Sequence, residues 1–124
     1  MASILVVDDS AAFRDVIRRM LAKVGHDVTT TSDGQEAIRL LANGPLPDLV
    51  ITDLIMPNQE GIETIIIIRE RFPTVKIVAM SGGGQVGALD YLSSAMAMGA
   101  HQTLSKPFSI DGLRSAVTAA LVDE

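Results

Sequence analysis

Cysteine is absent from all 124 positions of the sequence. Neither a disulfide framework nor a thiolate metal site is therefore available, and the redox compartment is left open. The chain also lacks a long apolar run near its start, because Asp8 and Asp9 interrupt the stretch that begins at Ile4. Such a run is too short for a signal peptide or a membrane span.

An excess of basic charge is missing as well. Ten lysines and arginines stand against fifteen aspartates and glutamates, which gives a net charge of −5. That balance argues against non-specific binding to nucleic acid or to an anionic membrane. There is no internal repeat, linker or low-complexity segment, and a hydrophobic fraction of 48% suffices for a core. We therefore expect one soluble cytoplasmic domain over residues 1–124.

Two hydrophobic periodicities alternate along the chain. Short apolar, β-branched runs predict strands, whereas apolar residues three and four apart predict amphipathic helices. The predicted strands cover 4–7, 26–31, 49–52, 75–80 and 100–104, and the predicted helices cover 10–24, 34–43, 59 or 60 to 72, 86–98 and the segment after Ser109. Ser10 is the expected N-cap of the first helix, whose apolar face comprises Phe13, Val16, Ile17, Met20, Leu21 and Val24. Five strands that alternate with five helices predict a parallel sheet with helices on both faces.

The run of four isoleucines at 65–68 favours a strand by local propensity. Charged residues flank it, however, and Ile62 and Phe72 stand at helical spacing from its first and last members, so we predict a helix. That leaves Ile66 and Ile67 on the flank and outer side of the helix, as a candidate interaction patch. The alternative is that Ile66 tucks under a neighbouring helix and only Ile67 is exposed.

Asp53 stands where the central predicted strand ends, four residues before Pro57, which cannot donate to a strand ladder and so predicts a turn. An ionised carboxylate at the end of a buried strand is costly unless something compensates its charge. The alternative interpretation of this stretch alone is a helix N-cap or an aspartate that faces the solvent.

Other polar residues follow the neighbouring strands in the same way. Asp8 and Asp9, Asp53, Ser81 and Lys106 lie just past the ends of the first, third, fourth and fifth predicted strands. In open parallel sheets a site forms at that edge, where the strand order switches. Three converging carboxylates repel one another unless a cation neutralises them, and oxygen ligands favour Mg²⁺. With a lysine and a hydroxyl facing an anion, this set predicts phosphoryl transfer. The alternative is an α/β domain with incidental polar loop residues.

Four motifs carry a resemblance to a known family: ILVVDDS at 4–10, DLVITDLIMPNQEGIE at 48–63, VKIVAMSG at 75–82 and LSKPFS at 104–109. The chain resembles, over its whole length, the receiver domain of bacterial two-component response regulators, in its stand-alone, chemotaxis-regulator-like form. The resemblance implies a doubly wound, flavodoxin-like (βα)5 fold whose five-stranded parallel sheet has the order 2-1-3-4-5.

The resemblance also implies an acceptor and a metal site. Asp53 would take a phosphoryl group from a histidine kinase or a histidine phosphotransfer protein. Asp9 would ligate Mg²⁺ directly and Asp8 mainly through water. Asp53 and the backbone carbonyl of Ile55 would complete the protein ligands.

Three further roles follow from the same resemblance. Ser81 would hydrogen-bond the phosphoryl group and shift with it, and Lys106, before a cis Pro107, would pair with it. Family members usually carry an aromatic switch residue three positions before the lysine. This sequence has Thr103 there, so the aromatic half of the switch is absent.

Two functions of different classes remain open. The first is a phosphorylation-gated module that binds an unknown output protein through its fourth helix, fifth strand and fifth helix. The second is a phosphorelay intermediate or phosphate sink that passes the phosphoryl group to a histidine phosphotransfer protein. An unrelated phosphohydrolase is a third alternative, which is weakened because nothing resembles a second catalytic acid beside Asp53. We expect no enzyme beyond self-phosphorylation and dephosphorylation, no nucleic-acid or membrane partner, and a monomer or weak dimer.

The lifetime of an acyl phosphate on Asp53 depends on the side chains that flank the path of water. Ile55 and Gly83, two positions beyond Asp53 and Ser81, carry no group that can orient a water molecule. We therefore predict slow self-dephosphorylation, on the order of minutes or longer.

Overall fold

Five strands and five helices alternate in the computed structural model, which describes residues 2–54, 61–82 and 88–122. The strands are β1 (Ser3–Val7), β2 (Asp27–Thr31), β3 (Leu49–Asp53), β4 (Lys76–Gly82) and β5 (Gln102–Lys106). The helices are α1 (Ala11–Lys23), α2 (Gly34–Asn43), α3 (Gly61–Arg71), α4 (Ala88–Met98) and α5 (Ile110–Val122). All strand pairs are parallel and the order is β2-β1-β3-β4-β5. The predicted fold class and strand order are confirmed.

Two apolar clusters fill the space between the sheet and its helices. On one face, α1 and α5 bury Ile17, Leu21, Leu113, Val117 and Ala120 against the sheet. On the other face, α2, α3 and α4 bury Ala37, Leu41, Ile65, Ile68 and Ala95. Every residue of the central strand β3 is buried, as expected for a strand that is covered on both faces. The end of β3 is therefore enclosed between two neighbouring strands and the helices on both faces.

Side-chain caps fix the starts of α1 and α2. The Phe13 N–H donates to Ser10 Oγ at 3.2 Å, and the Glu36 N–H donates to Asp33 Oδ1 at 2.8 Å. Ser10 is thus the N-cap that the sequence predicts. Along the predicted apolar face of α1, Ile17 and Leu21 are fully buried, whereas Val16 remains 44% exposed.

The isoleucine run forms part of a helix, as predicted. Ile65 and Ile68 are buried, and Ile62 and Phe72 pack against the same cluster. Ile66 and Ile67 are both half-buried, so the expected exposure of Ile67 is not found. The reason is that α3 packs against both α2 and α4, which leaves only a narrow outer strip. The hypothesis that these two residues make a partner contact stays a prediction.

The last strand begins and ends later than the predicted range 100–104. Gly99 ends α4 with a φ of +126°, a conformation that glycine adopts readily. The Ala100 N–H then donates to the Ala95 carbonyl at 2.9 Å, so Ala100 belongs to the helix end. Lys106 is the final residue of the later-starting β5. Ser81 lies within β4, which extends to Gly82. Both residues were predicted just past their strands.

Two predicted helix starts lie outside the described residues. The third helix was expected from residue 59 or 60 and the fourth from residue 86, whereas the structure describes α3 from Gly61 and α4 from Ala88. Among the residues that are described, no helix has the length and apolar character needed to cross a membrane.

Candidate functional site

The carboxyl edge of the sheet brings the predicted site residues together. Asp8 follows β1, Asp53 ends β3 and Lys106 ends β5. Carboxylate oxygens of Asp8, Asp9 and Asp53 all lie within 4.8 Å of one another. Asp8 and Asp53 are buried, whereas Asp9 is exposed. Three acidic side chains therefore share one small region that is open to the solvent on the side of Asp9.

Lys106 places a positive charge beside these carboxylates. Its Nζ atom lies 2.7 Å from Asp8 Oδ2, to which it donates a hydrogen bond, and 3.5 Å from Asp53 Oδ2. Only 19% of the Lys106 side chain is exposed, so water screens these interactions less than it would on the surface. This ammonium group nevertheless pairs with only two of the three carboxylates, Asp8 and Asp53, and their negative charge is only partly compensated.

The charged form of Asp53 is disfavoured by its surroundings. Burial raises the pKa of Asp53, and the neighbouring Asp8 adds to that effect. Lys106 and a hydrogen bond from the Leu54 N–H to Asp53 Oδ1 at 2.9 Å act in the opposite direction, yet the net pKa shift is upward. A further cation would therefore stabilise the ionised carboxylate.

Backbone contacts hold Asp8 in position. Its N–H donates to the Thr31 carbonyl at 3.2 Å, and its Oδ1 accepts from the Ser10 N–H at 2.9 Å. Arg14 Nη1 donates to the Asp8 carbonyl oxygen at 2.7 Å. In the sequence, Arg14 is one of the charged residues between the apolar positions of the first helix. The sequence therefore does not indicate its contact with Asp8.

The residues expected to form the switch lie on the last two strands. Ser81 is buried in β4, opposite Ser105 of β5. Thr103 is half-buried and pairs with Ala79. The peptide bond between Lys106 and Pro107 is cis.

The residues present fit a small, hard divalent cation. Their donor atoms are oxygens, which Mg²⁺ and Ca²⁺ prefer. The incomplete charge compensation and the raised pKa of Asp53 both indicate a place for positive charge. The predicted backbone ligand Ile55 lies outside the described residues.

Two phenylalanines lie at the site although nothing in the sequence pattern marks them as functional. Lys106 Nζ lies 4.2 Å from the centroid of the Phe13 ring. Phe108 meets that ring edge to face, with centroids 5.6 Å apart and an interplanar angle of 79°. Only their positions in the sequence could have indicated this. Phe13 lies in the first turn of the helix after Asp8, and Phe108 lies two residues beyond Lys106.

Gly61 is a further residue that sequence reasoning missed. Its N–H donates to the Leu54 carbonyl at 2.8 Å. A Cβ atom at this position would lie 2.2 Å from the backbone carbonyl oxygen of Asp53 and 2.4 Å from Leu54 Cα. Only a glycine allows the start of α3 to approach the end of β3 so closely.

Comparison with known proteins places the chain in a family. The family model of the response regulator receiver domain matches residues 4–118. The chain belongs to the response regulator receiver domain family, which confirms the resemblance noted in the sequence.

Individual relatives agree with this assignment. The DNA-binding transcriptional regulator NtrC of Azospirillum brasilense is 38% identical over 120 residues, which cover 97% of this chain and 24% of NtrC. A receiver domain protein from Clostridium thermocellum has a TM-score of 0.88 at 32% identity, over 98% of this chain and 94% of that one. TrrA from Thermotoga maritima, solved in complex with Mg²⁺-BeF, has a TM-score of 0.82 at 32% identity, over 95% of this chain and 97% of TrrA. The chain spans about a quarter of the length of the NtrC relatives.

Proposed function

We propose that this chain is a phosphoacceptor that takes a phosphoryl group onto Asp53 from a histidine kinase or a histidine phosphotransfer protein. One observation carries the proposal. Asp53 ends the fully buried central strand, where its carboxylate lies beside two other carboxylates and 3.5 Å from the ammonium of Lys106. A nucleophilic oxygen, acidic metal ligands and a positive donor are the parts that phosphoryl transfer to a carboxylate requires.

The two oxygens of Asp53 have different partners, which assigns them different tasks. Oδ1 accepts the Leu54 N–H, whereas Oδ2 faces Lys106. In the proposed step, Oδ2 attacks the phosphorus of a phosphohistidine, the P–N bond breaks, and the imidazole leaves with the bonding electron pair and takes up a proton. The product is an acyl phosphate, whose added negative charge lies next to the Lys106 ammonium and within reach of the Ser81 hydroxyl as proposed donor.

Asp8, Asp9 and Asp53 are the side chains that would hold Mg²⁺, Asp9 directly and Asp8 mainly through water. The Ile55 carbonyl is proposed as a further ligand on the basis of the family resemblance alone. When bound, Mg²⁺ supplies positive charge for the phosphoryl oxygens. The complex of TrrA with Mg²⁺-BeF supports this assignment by likeness.

We expect phosphorylation to change binding to an output protein in the cytoplasm. Ser81 and Thr103 would transmit the change along β4 and β5 to the surface that α4, β5 and α5 form. Met96 and Met98 on α4 are 48% and 45% exposed, so this helix offers apolar side chains to a partner. Transfer of the phosphoryl group onward to a histidine phosphotransfer protein is the competing function. We expect no catalytic activity beyond phosphorylation and dephosphorylation of Asp53.

Labelling with radioactive acetyl phosphate in the presence of Mg²⁺ tests the acceptor. We expect the wild-type protein to be labelled and the Asp53→Asn variant to remain unlabelled while its circular dichroism spectrum is unchanged. Asp48→Asn, which changes an aspartate at the opposite end of the sheet, is the matched control and should be labelled normally. Label on the Asp53→Asn variant would refute the assignment.

Two further measurements separate the competing functions. A pull-down with and without beryllium fluoride reports phosphorylation-gated binding, and incubation of the labelled protein with histidine phosphotransfer proteins reports onward transfer. The predicted slow loss of label rests on Ile55 and Gly83, which lie outside the described residues. A half-life of a few seconds in Mg²⁺ would contradict that prediction, which expects decay on the order of minutes or longer.

A further inference from the structure

The aromatic ring of Phe13 is a third partner of the Lys106 ammonium group. The distance of 4.2 Å from Nζ to the ring centroid lies within the range of cation–π attraction. Lys106 is otherwise paired with two carboxylates, at 2.7 Å to Asp8 and 3.5 Å to Asp53. Of these three contacts of the ammonium group, the ring is the uncharged one.

Phe13 is itself held from two sides. Phe108 packs its edge against the ring. The Phe13 N–H donates to Ser10 Oγ at 3.2 Å, and the adjacent Arg14 donates to the Asp8 carbonyl at 2.7 Å. These contacts tie the first turn of α1 to the same backbone that carries Asp8, so the ring has a defined position relative to the acidic site.

We infer that Phe13 is a positioning residue for phosphoryl transfer, which acts by holding the ammonium of Lys106 over Asp8 and Asp53. The inference rests on the proposed phosphoacceptor role of Asp53. To meet a phosphoryl group on Asp53, the ammonium leaves Asp8, which it contacts more closely in this structure. The ring restrains the flexible lysine stem during that move, and it does so without adding another negative charge to the site.

An aromatic ring suits this task better than a further carboxylate. Another acidic group would increase the repulsion among Asp8, Asp9 and Asp53 and would compete with the phosphoryl group for the ammonium. The face of a ring attracts a cation weakly enough to release it and excludes water from one side of the stem. Phe13 thereby limits the directions in which the Lys106 side chain can turn away from Asp53.

The main test compares Phe13→Leu with Phe13→Tyr. Leucine keeps an apolar side chain on α1 and removes the aromatic face, whereas tyrosine keeps that face. In the initial rate of labelling by acetyl phosphate, we expect a roughly three- to tenfold loss for Phe13→Leu and a rate near that of the wild type for Phe13→Tyr. Phe72→Leu is the matched control, because Phe72 is also half-buried but packs in the opposite cluster. It should lower the melting temperature and leave the labelling rate unchanged.

A double-mutant cycle with Lys106→Met shows whether Phe13 acts through the lysine. If it does, Phe13→Leu has no further effect on the labelling rate in the Lys106→Met background. Losses that multiply in the double variant would overturn the inference, because Phe13 would then act independently of the ammonium.

A spectroscopic readout needs neither metal nor phosphodonor. The circulating electrons of a ring shift the proton resonances of groups over its face upfield. The methylene protons next to Lys106 Nζ should therefore resonate upfield in the wild type and in Phe13→Tyr, and near their ordinary position in Phe13→Leu. An unchanged resonance in the leucine variant would show that the ring does not hold the ammonium.

The outcomes separate this inference from the proposed function. Failure to label the wild-type protein overturns the acceptor role of Asp53 and the role of Phe13 with it. Labelling of Asp53 at equal rates in the wild type and Phe13→Leu overturns the role of Phe13 alone. Equal losses in Phe13→Leu and Phe13→Tyr also overturn it, since altered packing would then account for both.

Discussion

The two ends of the sheet differ in how closely their charged side chains are grouped. At the amino end, polar side chains accept hydrogen bonds from backbone N–H groups: Ser3 donates to Asp48 at 2.9 Å, Ala2 to His26 Nδ1 at 3.1 Å and Ile77 to His101 Nδ1 at 3.0 Å. At the carboxyl end, carboxylate oxygens of Asp8, Asp9 and Asp53 lie within 4.8 Å of one another beside the ammonium group of Lys106. Asp8 and Asp53 also accept backbone N–H groups, so the ends differ in charge: the carboxyl end concentrates charge of one sign.

This difference affects the stability of the folded state. Buried polar groups that are hydrogen-bonded cost little free energy, whereas like charges that are held together lower the stability of the folded state. The carboxyl end therefore retains an unfavourable arrangement that a bound cation would relieve. Removing the charge of one aspartate at each end should accordingly have opposite effects on the free energy of unfolding.

The largest expected effect comes from Gly61, which lets α3 approach the carboxyl end of β3. In Gly61→Ala the added Cβ would meet the Asp53 carbonyl at 2.2 Å. We expect a loss of about 3 kcal/mol in the free energy of unfolding, measured by urea denaturation. Gly112→Ala in α5 is the control, because its Cβ would have no neighbour closer than 3.4 Å. The prediction is wrong if the two variants are equally stable.

Mg²⁺ should relieve part of the charge repulsion at the carboxyl end. Binding to the folded state alone would raise the free energy of unfolding by about 1.4 kcal/mol at ten times the dissociation constant. Thermal melting with and without millimolar Mg²⁺ measures this effect. Asp9→Ala should lose the response to Mg²⁺ and, through reduced repulsion, should be more stable than the metal-free wild type. An unchanged midpoint for the wild type would count against the metal site.

Neutralising one aspartate at each end compares them directly in metal-free buffer. Asp53→Asn removes a charge that burial and Asp8 disfavour, so its melting temperature should rise, at roughly 4 °C per kcal/mol for a domain of this size. Asp48→Ala removes the acceptor of the Ser3 N–H and should cost about 1 kcal/mol. Shifts of the same sign in both variants would contradict the proposed difference between the ends.

The smallest expected effect is a pH dependence at the amino end. Burial, and to a lesser degree the charge of the N-terminal amine, lowers the pKa of His26 below its ordinary value of 6.5. The unfolded chain therefore takes up the proton at a higher pH than the folded protein, and stability falls as the pH drops below about 6.5. Because asparagine can accept the Ala2 N–H at any pH, His26→Asn should lose less stability than the wild type in that range. If the free energy of unfolding falls equally with pH in the wild type and in His26→Asn, this explanation is refuted.

The positions of Asp8 and Asp53 could be predicted because they depend on the order of apolar and polar residues along the chain. Each follows an apolar run, and parallel strands end at the same edge of a sheet. The strand order then brings the two residues close together, because β1 and β3 are neighbours in the sheet. Lys106 was expected in the right place although β5 begins and ends later than predicted, because Pro107 stops the strand in either case.

The role of Phe13 could not be predicted in the same way. In the sequence it is one of several apolar residues on the first helix, and Phe72 has the same chemistry. Only the packing of α1 against the loop after β5 puts its ring beside Lys106 and Phe108. The half-burial of Ile67 likewise depends on the neighbours of α3 and not on its own periodicity.

The contact between Lys106 and Asp8 also has a consequence for folding during synthesis, because the two partners are 98 positions apart in the sequence. A ribosome makes Asp8 and Asp53 long before it makes Lys106. A nascent chain that stops short of β5 therefore carries the acidic pair without this ammonium, and β4 has one unpaired edge. The last strand thus supplies the missing sheet neighbour and the missing charge together, so the domain completes its folding as a unit only when β5 has been made.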